Sequence, residues 1–150
     1  MQVLIQRGII NEVTAPAFCK RPPKPWEGLD YFDGRNSEGH LDVAKRFSGG
    51  AMMPKLDEFA KLCGYPGKID VKGDQVTDLW LERDITKIVE YNQIDVLNTY
   101  LVWLRMVHFT GQIGEEQYIE EQEQFRDFLI TETQKPGKTF LTDFLAKWPI

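Results

Sequence analysis

The chain has 150 residues and a formal net charge of −5, with 42% hydrophobic and 12% aromatic residues. These values are typical of a globular chain that buries a core, and the length predicts a single domain over residues 1–150. The acidic balance argues against a module that holds nucleic acid through a broad basic surface. It does not exclude an enzyme whose metal ions meet the phosphate charge.

Membrane insertion and secretion are not indicated either. No apolar run approaches the roughly 20 residues that a membrane-spanning helix needs, and the first residues lack the pattern of a signal peptide. Two cysteines, Cys19 and Cys63, are too few for a disulfide framework. We therefore expect a cytoplasmic protein with free thiols and no membrane partner.

The N-terminal third combines one helical segment with a long irregular connection. Residues 1–10 are apolar at positions 1, 3, 4, 5, 9 and 10, a pattern that fits a helix facing a core. Residues 14–37 are rich in proline and glycine, which predicts a long loop of the kind that is usually functional or unusual. Residues 39–47 favour a short strand or a turn that leads into a helix.

The rest of the chain has helical periodicity. We predict helices over residues 56–63, closed by Gly64, then over 74–81, 84–109, 115–131 and 139–147. Asp84 is the expected N-cap of the longest helix, and Gly111 is expected to end it. The apolar side chains of that helix should face the core: Ile85, Ile88, Val89, Val96, Leu97, Tyr100, Leu101, Leu104 and Val107. The chain is thus mainly α-helical, with one or two short strands.

Several common catalytic motifs are absent. Gly137-Lys138-Thr139 resembles the end of a P-loop, but the required upstream glycine is replaced by Glu132, so we interpret it as a turn before a helix. The two histidines, His40 and His108, lie far apart without the spacing of a zinc site. No nucleophile elbow and no glycine-rich dinucleotide loop occur.

Tyr91 and Asp95 are the pair most indicative of chemistry. Four residues apart in a helix, they lie one above the other on the same face. Asp95 is flanked by Ile94, Val96 and Leu97, and a carboxylate at the edge of a core is costly unless a cation or hydrogen bonds compensate it. One interpretation makes Asp95 a divalent-cation ligand and Tyr91 the group that orients a water molecule. The other makes Asp95 a solvated boundary residue and Tyr91 a packing aromatic.

Four segments in serial order carry a resemblance to a known family: HLDV at 40–43, KLDEFAKLCGYPGK at 55–68, GDQV at 73–76 and IVEYNQIDVLNTY at 88–100. Together they resemble the C-terminal half of the predicted 3′–5′ exonucleases related to the proofreading domain of family B DNA polymerases. These belong to the DnaQ-like, ribonuclease H-like superfamily, so the resemblance implies an α/β family fold of which this chain is a mainly α C-terminal portion.

The resemblance also implies roles for individual residues. Tyr91 and Asp95 match the third, DEDDy-type exonuclease motif, which makes Asp95 a ligand for Mg²⁺ or Mn²⁺ and Tyr91 the residue that positions the attacking water. His40 and Asp42 match a recurrent His-x-Asp, which implies a contact with substrate or a support for the residues around the metal site; the alternative is a strand-edge pair that satisfies buried backbone groups. Lys68 and the backbone N–H groups of its Pro-Gly-Lys turn are candidates for a phosphate contact, with a plain surface turn as the alternative.

The family's first and second motifs precede this region, so the resemblance implies that their carboxylates lie before residue 1. One Asp cannot build a two-metal site, and we expect residues 1–150 to be inactive alone. The expected substrates are the 3′ ends of single-stranded DNA or RNA. The alternative function is a non-catalytic helical interaction module derived from a nuclease. Helices that should cover an absent sheet would expose apolar surface, which favours self-association.

Overall fold

A computed structural model describes residues 2–16, 23–24, 27, 42–44, 54–69 and 73–148. The chain divides into two compact units, residues 1–46 and 47–150. In the first unit, helix α1 spans Gln2–Ile10, which confirms the helix predicted at the start of the chain. Ile9 and Ile10 are 72% and 68% exposed, so the expectation that these residues face a core is wrong. Most of the loop predicted over residues 14–37 and of the short strand predicted within 39–47 lies outside the described residues.

The second unit is built from helices, as the periodicity predicts. A short 3-10 turn, Gly73–Gln75, precedes the second of them. The described helices of this unit are α2 (Leu56–Leu62), α3 (Val76–Leu81), α4 (Ile85–Phe109), α5 (Glu115–Thr133) and α6 (Phe140–Ala146). Every helix predicted after residue 54 is therefore confirmed, with bounds that differ by one or two residues.

The predicted start and stop signals account for these bounds. The Asp84 side chain accepts a hydrogen bond from the backbone N–H of Lys87 at 3.1 Å, so Asp84 is the N-cap of α4. Gly64, with φ +82°, ends α2 in a Schellman motif, in which Tyr65 N–H donates to Ala60 O at 2.9 Å. Gly111 ends α4 in the same way, with φ +72°.

Helix α4 is the central element of the second unit. It contacts α2, α3 and α5, and α5 in turn contacts α6. The core lies where these helices meet and contains mainly aliphatic and aromatic side chains, with one fully buried amide. Its members on the helices and at the C-terminal end are Ala60, Leu79, Ile94, Asn98, Leu101, Val102, Leu104, Val107, Tyr118, Leu129, Leu141, Phe144 and Trp148.

Tyr65, which follows α2 directly after Gly64, contacts Trp148 near the C-terminal end of the unit and hydrogen-bonds with residues of α4 and α5. The Trp148 indole is buried and makes an edge contact with the Tyr65 ring, at 6.4 Å between centroids. Arg105 of α4 donates to the phenol oxygens of Tyr65 and Tyr118, at 3.2 Å and 3.1 Å. Burial raises the pKa of Tyr65, so this phenol stays neutral and serves as a hydrogen-bonding partner of Arg105 and Tyr118.

The prediction of which apolar residues of α4 face the core is wrong in part. Leu101, Leu104 and Val107 are buried as expected, but Val96 is 59% exposed, and Ile85 and Val89 are 45% and 46% exposed. Ile85 and Val89 line an open cleft with Phe140 instead of entering the core. The helical period identifies an apolar stripe but not the neighbours that cover it, and α4 is covered mainly over its C-terminal half.

The described part of the chain is mainly α-helical, which confirms the expectation for this portion of the fold, and no β-strand occurs among the described residues. The one or two predicted short strands are therefore not found there. None of the described helices is long and apolar enough to cross a lipid bilayer.

Candidate active site

Asp95 and Tyr91 lie one turn apart on the same face of α4, and Asn98 continues that stripe one turn further. Asp95 is half-buried, directly after Ile94, which is only 5% exposed. Its carboxylate forms no hydrogen bond or ion pair with another described residue; its backbone carbonyl accepts from Thr99 Oγ1 at 2.7 Å. The carboxylate oxygens thus keep their capacity to bind a ligand.

Lys68 contacts Tyr91 from the turn that follows α2. The Lys68 ammonium donates to the phenol oxygen of Tyr91, with 3.3 Å between Nζ and the oxygen, and lies 5.0 Å from the centroid of the ring. Gly73 borders the same pair, because a Cβ added there would lie 3.4 Å from the Tyr91 hydroxyl and 3.8 Å from Lys68 Nζ. The structure therefore brings two of the predicted site residues, Lys68 and Tyr91, into direct contact.

The turn that carries Lys68 is held by Asn98. Gly67 N–H donates to Asn98 Oδ1 at 3.0 Å, and Asn98 Nδ2 donates back to Gly67 O at 2.9 Å. The same Nδ2 also donates to Ile94 O at 2.9 Å, and the Asn98 side chain is only 1% exposed. A buried amide that satisfies both polar groups of one peptide fixes that peptide relative to α4.

The backbone at position 67 favours glycine. Its φ is +67°, a left-handed conformation that other residues rarely adopt. An added Cβ would also lie 2.5 Å from Asp57 Oδ1, well inside van der Waals contact. The chain thus passes tightly between α2 and α4 at this point, which determines where Lys68 emerges.

Asp57 of α2 holds the next peptide of the turn. Lys68 N–H donates to Asp57 Oδ1 at 2.7 Å, and Lys61 Nζ lies 2.9 Å from the same carboxylate. Desolvation by burial raises the pKa of Asp57, but the hydrogen bond from Lys68 N–H and the Lys61 ammonium outweigh it and hold the pKa below its usual value.

These bonds correct one expectation about the Pro-Gly-Lys turn. The backbone N–H groups of Gly67 and Lys68 are already donated to Asn98 and Asp57, so they are not available to a phosphate. Pro66 and Gly67 are also buried, so this segment is not a plain surface turn. The Lys68 side chain is half-buried, and its ammonium donates to the Tyr91 phenol.

The remaining predicted site residues fall in the first unit. His40 lies outside the described residues. Asp42 is described as half-buried, directly before two helical residues, and it has an interaction partner. Their proposed contact with substrate stays a prediction.

Sequence reasoning missed Asn98 and Asp57, which position the site. Asn98 is three residues after Asp95 and seven after Tyr91, a spacing that puts all three on one helical stripe. A polar amide among the apolar residues of a core helix was the available signal. For Asp57 the signal was weaker, because its partner Lys68 lies 11 residues away across a turn.

The Asp95 carboxylate fits a divalent cation, but the other described residues do not complete a site for one. A half-buried carboxylate with open acceptor positions is a suitable oxygen ligand for Mg²⁺ or Mn²⁺, and its place on a long helix makes it rigid. Within the described ranges, however, no group of three or more His, Cys, Asp or Glu side chains is arranged around a metal site. Asp95 is thus a candidate for a single ligand of such a site.

Comparison with known families gives one match. Residues 1–148 match the model of a family described as a predicted 3′–5′ exonuclease related to the exonuclease domain of PolB. No curated protein and no solved structure matches the chain. The match covers nearly the whole chain and includes the Lys68 turn, Tyr91 and Asp95.

The low pKa of Asp57 predicts how acid weakens the turn. A carboxyl whose pKa is depressed on folding adds stability at pH values above its unfolded pKa of about 3.9, and loses it as the pH falls through the folded pKa. We expect Asp57→Asn to lower the free energy of unfolding at pH 7, whereas near pH 3 the gap to the wild type narrows. Urea unfolding at both pH values checks this. An equal gap at both would show that the carboxylate charge is not involved.

Proposed function

The chain belongs to the family of predicted 3′–5′ exonucleases related to the exonuclease domain of PolB, and from that premise we propose that it supplies the Tyr91–Asp95 part of a metal-dependent site. That site hydrolyses phosphodiester bonds at the 3′ ends of single-stranded DNA or RNA. The observation that carries the proposal is the half-buried Asp95 carboxylate, unpartnered among the described residues, one turn from a phenol that contacts a lysine.

Asp95 is proposed to bind the metal because a cation would compensate the negative charge of its half-buried carboxylate. A half-buried carboxylate loses part of its hydration, and neither a described cation nor a described N–H group replaces it. Hard divalent cations prefer carboxylate oxygens. When bound, such ions activate the attacking water and stabilise the leaving oxygen.

Tyr91 is proposed to orient the water. Its phenol oxygen accepts the hydrogen bond from Lys68 Nζ, so its own O–H is left to donate elsewhere. Because Asp95 lies one turn away on the same face, a water held by the Tyr91 hydroxyl would lie close to a ligand of Asp95. The Lys68 contact fixes the phenol in this position.

Catalysis by this route needs more carboxylates than Asp95. Two-metal hydrolysis requires several acidic ligands around ions about 4 Å apart, and the described residues contain no such group. The proposal therefore assigns Asp95 and Tyr91 to the site and leaves its other carboxylates to the first and second motifs of the family. Residues 1–150 alone are expected to lack turnover.

A second candidate is a non-catalytic helical interaction module. The observation that favours it is the exposure of large apolar side chains on the described helices, such as Leu62 at 85% and Phe109 at 86%. Exposed apolar residues of this kind are a feature of interaction surfaces, including those of self-association. In that case Asp95 has no role in chemistry.

Removal of the proposed metal ligand tests the exonuclease directly. The assay uses the protein expressed from its own gene and follows the release of nucleotides from the 3′ ends of labelled single-stranded DNA and RNA. We expect Asp95→Asn to lower the rate of this release at least about 100-fold, because one lost metal ligand costs several kcal/mol of transition-state stabilisation. Tyr91→Phe should lower the rate less, because only the hydroxyl is lost.

The matched control is Asp127→Asn, which removes an exposed carboxylate from α5. It should leave the rate unchanged. An active protein whose rate is insensitive to Asp95→Asn would refute the assignment, and a protein inactive with Mg²⁺ and Mn²⁺ would favour the interaction module. Turnover by residues 1–150 alone that depends on Asp95 would show that the expected inactivity of this portion is wrong.

Metal binding by Asp95 can be measured without turnover. We expect millimolar Mn²⁺ to broaden the amide signals of residues around 91–95 in a ¹⁵N-labelled sample, because paramagnetic broadening detects even a weakly held ion. Asp95→Asn should abolish that broadening, and Asp127→Asn should not. Broadening that is spread evenly over the acidic surface of α5 and survives Asp95→Asn would contradict the assignment.

A further inference from the structure

Four aromatic residues and a valine form a partly exposed patch where α4 and α5 meet. The members of this aromatic patch are Val96, Tyr100 and Trp103 of α4 and Phe125 and Phe128 of α5. The Tyr100 ring lies 4.5 Å from Phe125 and 5.8 Å from Trp103, between centroids. Phe125 in turn stacks with Phe128 at 6.3 Å. We propose that the aromatic patch binds a cationic amphipathic helix of a partner protein.

Three members of the patch are open to solvent. Val96 is 59% exposed, Phe128 is 53% exposed and Trp103 is 37% exposed. Single exposed apolar residues are ordinary on protein surfaces, but here they are linked through the half-buried rings of Tyr100 and Phe125. A continuous aromatic surface of this kind is typical of the centre of a protein interface, where large aromatic side chains are enriched.

The spacing of the α4 members fits a docked helix. Val96, Tyr100 and Trp103 are separated by four and three residues, so they lie on one stripe that spans about 10 Å along the axis of α4. Phe128 widens this stripe on the side of α5. A helix that docks on such a surface uses apolar residues at i, i+4 and i+7, which repeat over the same distance.

The patch is ordered before a partner arrives. Phe125 packs against the buried indole of Trp148, with 6.0 Å between centroids. Burial and the Glu121 carboxylate, with which Tyr100 forms a hydrogen bond, raise the pKa of Tyr100, so its phenol stays protonated and keeps this bond. Rings that are already held in place lose little conformational entropy on binding.

Negative charge around the patch determines which partner fits. Seven of the 19 residues of α5 are acidic and one, Arg126, is basic, so this helix carries more negative charge than the whole chain, whose net charge is −5. Of these acids, only Glu115 and Glu132 lie within ion-pair distance of a basic group among the described residues. Glu121 borders the patch through its bond to Tyr100. A partner with lysine or arginine beside its apolar residues would meet these carboxylates, and its cations would also be attracted to the exposed rings.

The same charge argues against other occupants. An acidic helix repels nucleic acid and anionic lipid surfaces. Two copies of the chain would bring two acidic helices together, which electrostatic repulsion opposes. The patch is also separate from the candidate active site, because Tyr100 follows Asp95 by five residues and lies about 140° away around α4. The inference therefore goes beyond the proposed function and stands whether or not the chain is a nuclease.

The test is a calorimetric titration of the full chain with a synthetic peptide of leucine and lysine, about 14 residues long, whose leucines occupy one face of a helix. Two comparison peptides separate charge from shape. One has the same composition in scrambled order, and the other has glutamate in place of lysine. We expect the amphipathic lysine peptide to bind at least about tenfold more tightly than either, and its binding to weaken as the salt concentration rises.

Single substitutions locate the binding site. Trp103→Ala and Phe128→Ala should each weaken binding of the lysine peptide about tenfold, because each removes an exposed ring. Glu121→Gln should weaken it about threefold and reduce its salt dependence. The matched controls are Phe109→Ala, which removes an 86% exposed ring from the C-terminal end of α4, and Asp78→Asn, which removes an exposed carboxylate from α3. Both controls should leave the affinity unchanged.

The contrary outcomes are distinct from one another. Equal affinity for the scrambled peptide would reduce the binding to general charge attraction, and equal affinity for the glutamate peptide would remove the role of the acidic border. Equal weakening by Phe109→Ala and by both patch variants would place the contact elsewhere. Because Phe128 is more exposed than Trp103, Phe128→Ala decides the matter where Trp103→Ala disturbs the fold.

Two further measurements test the other occupants. Sedimentation of the chain without peptide would overturn the inference by showing a dimer that Phe128→Ala dissociates, since a second copy would then cover the patch. Titration with a single-stranded DNA oligonucleotide would overturn it by showing binding that Phe128→Ala abolishes. We expect a monomer in the first measurement and no effect of Phe128→Ala in the second.

Discussion

The Asn98 side chain accepts from the N–H of Gly67 and donates to its carbonyl, and these bonds hold the turn that carries Lys68 against helix α4. They join the turn after α2 to the middle of α4 inside the core, where water cannot replace them. The left-handed backbone at Gly67 favours glycine, and an added Cβ would also press on the Asp57 carboxylate. Lys68, the next residue, is thereby held against Tyr91.

Helix α4 provides two different polar environments. On one face, Tyr91, Asp95 and Asn98 follow each other at one-turn intervals, and the turn after α2 brings Lys68 to them. On the other face, Lys138 and Glu90 line a cleft together, so a positive and a negative charge lie in one place. The proposed function assigns the cation to the first face, where Asp95 lies.

Much of the fold follows from local sequence signals, and the site does so only in part. Asp84, Gly64 and Gly111 specify helix ends through contacts within a few residues, so the helix bounds were predictable. The exposure of Val96 was not, because periodicity does not say which elements cover a stripe. Tyr91 and Asp95 are recognisable from their spacing and from the resemblance. The contacts of Lys68 with Tyr91 and of Gly67 with Asn98 span 23 and 31 residues, and they depend on a turn conformation that sequence alone does not determine.

The hydrogen-exchange rate of the Gly67 amide tests this account most directly. It lies outside any helix, so its protection depends on the bond to the buried Asn98 side chain. We expect slow exchange in the wild type, comparable with that of core amides of α4, and fast exchange in Asn98→Ala, with Thr99→Ala as a control on the exposed side of the helix. Exchange of Gly67 at the rate of an unprotected loop amide in the wild type would contradict the account.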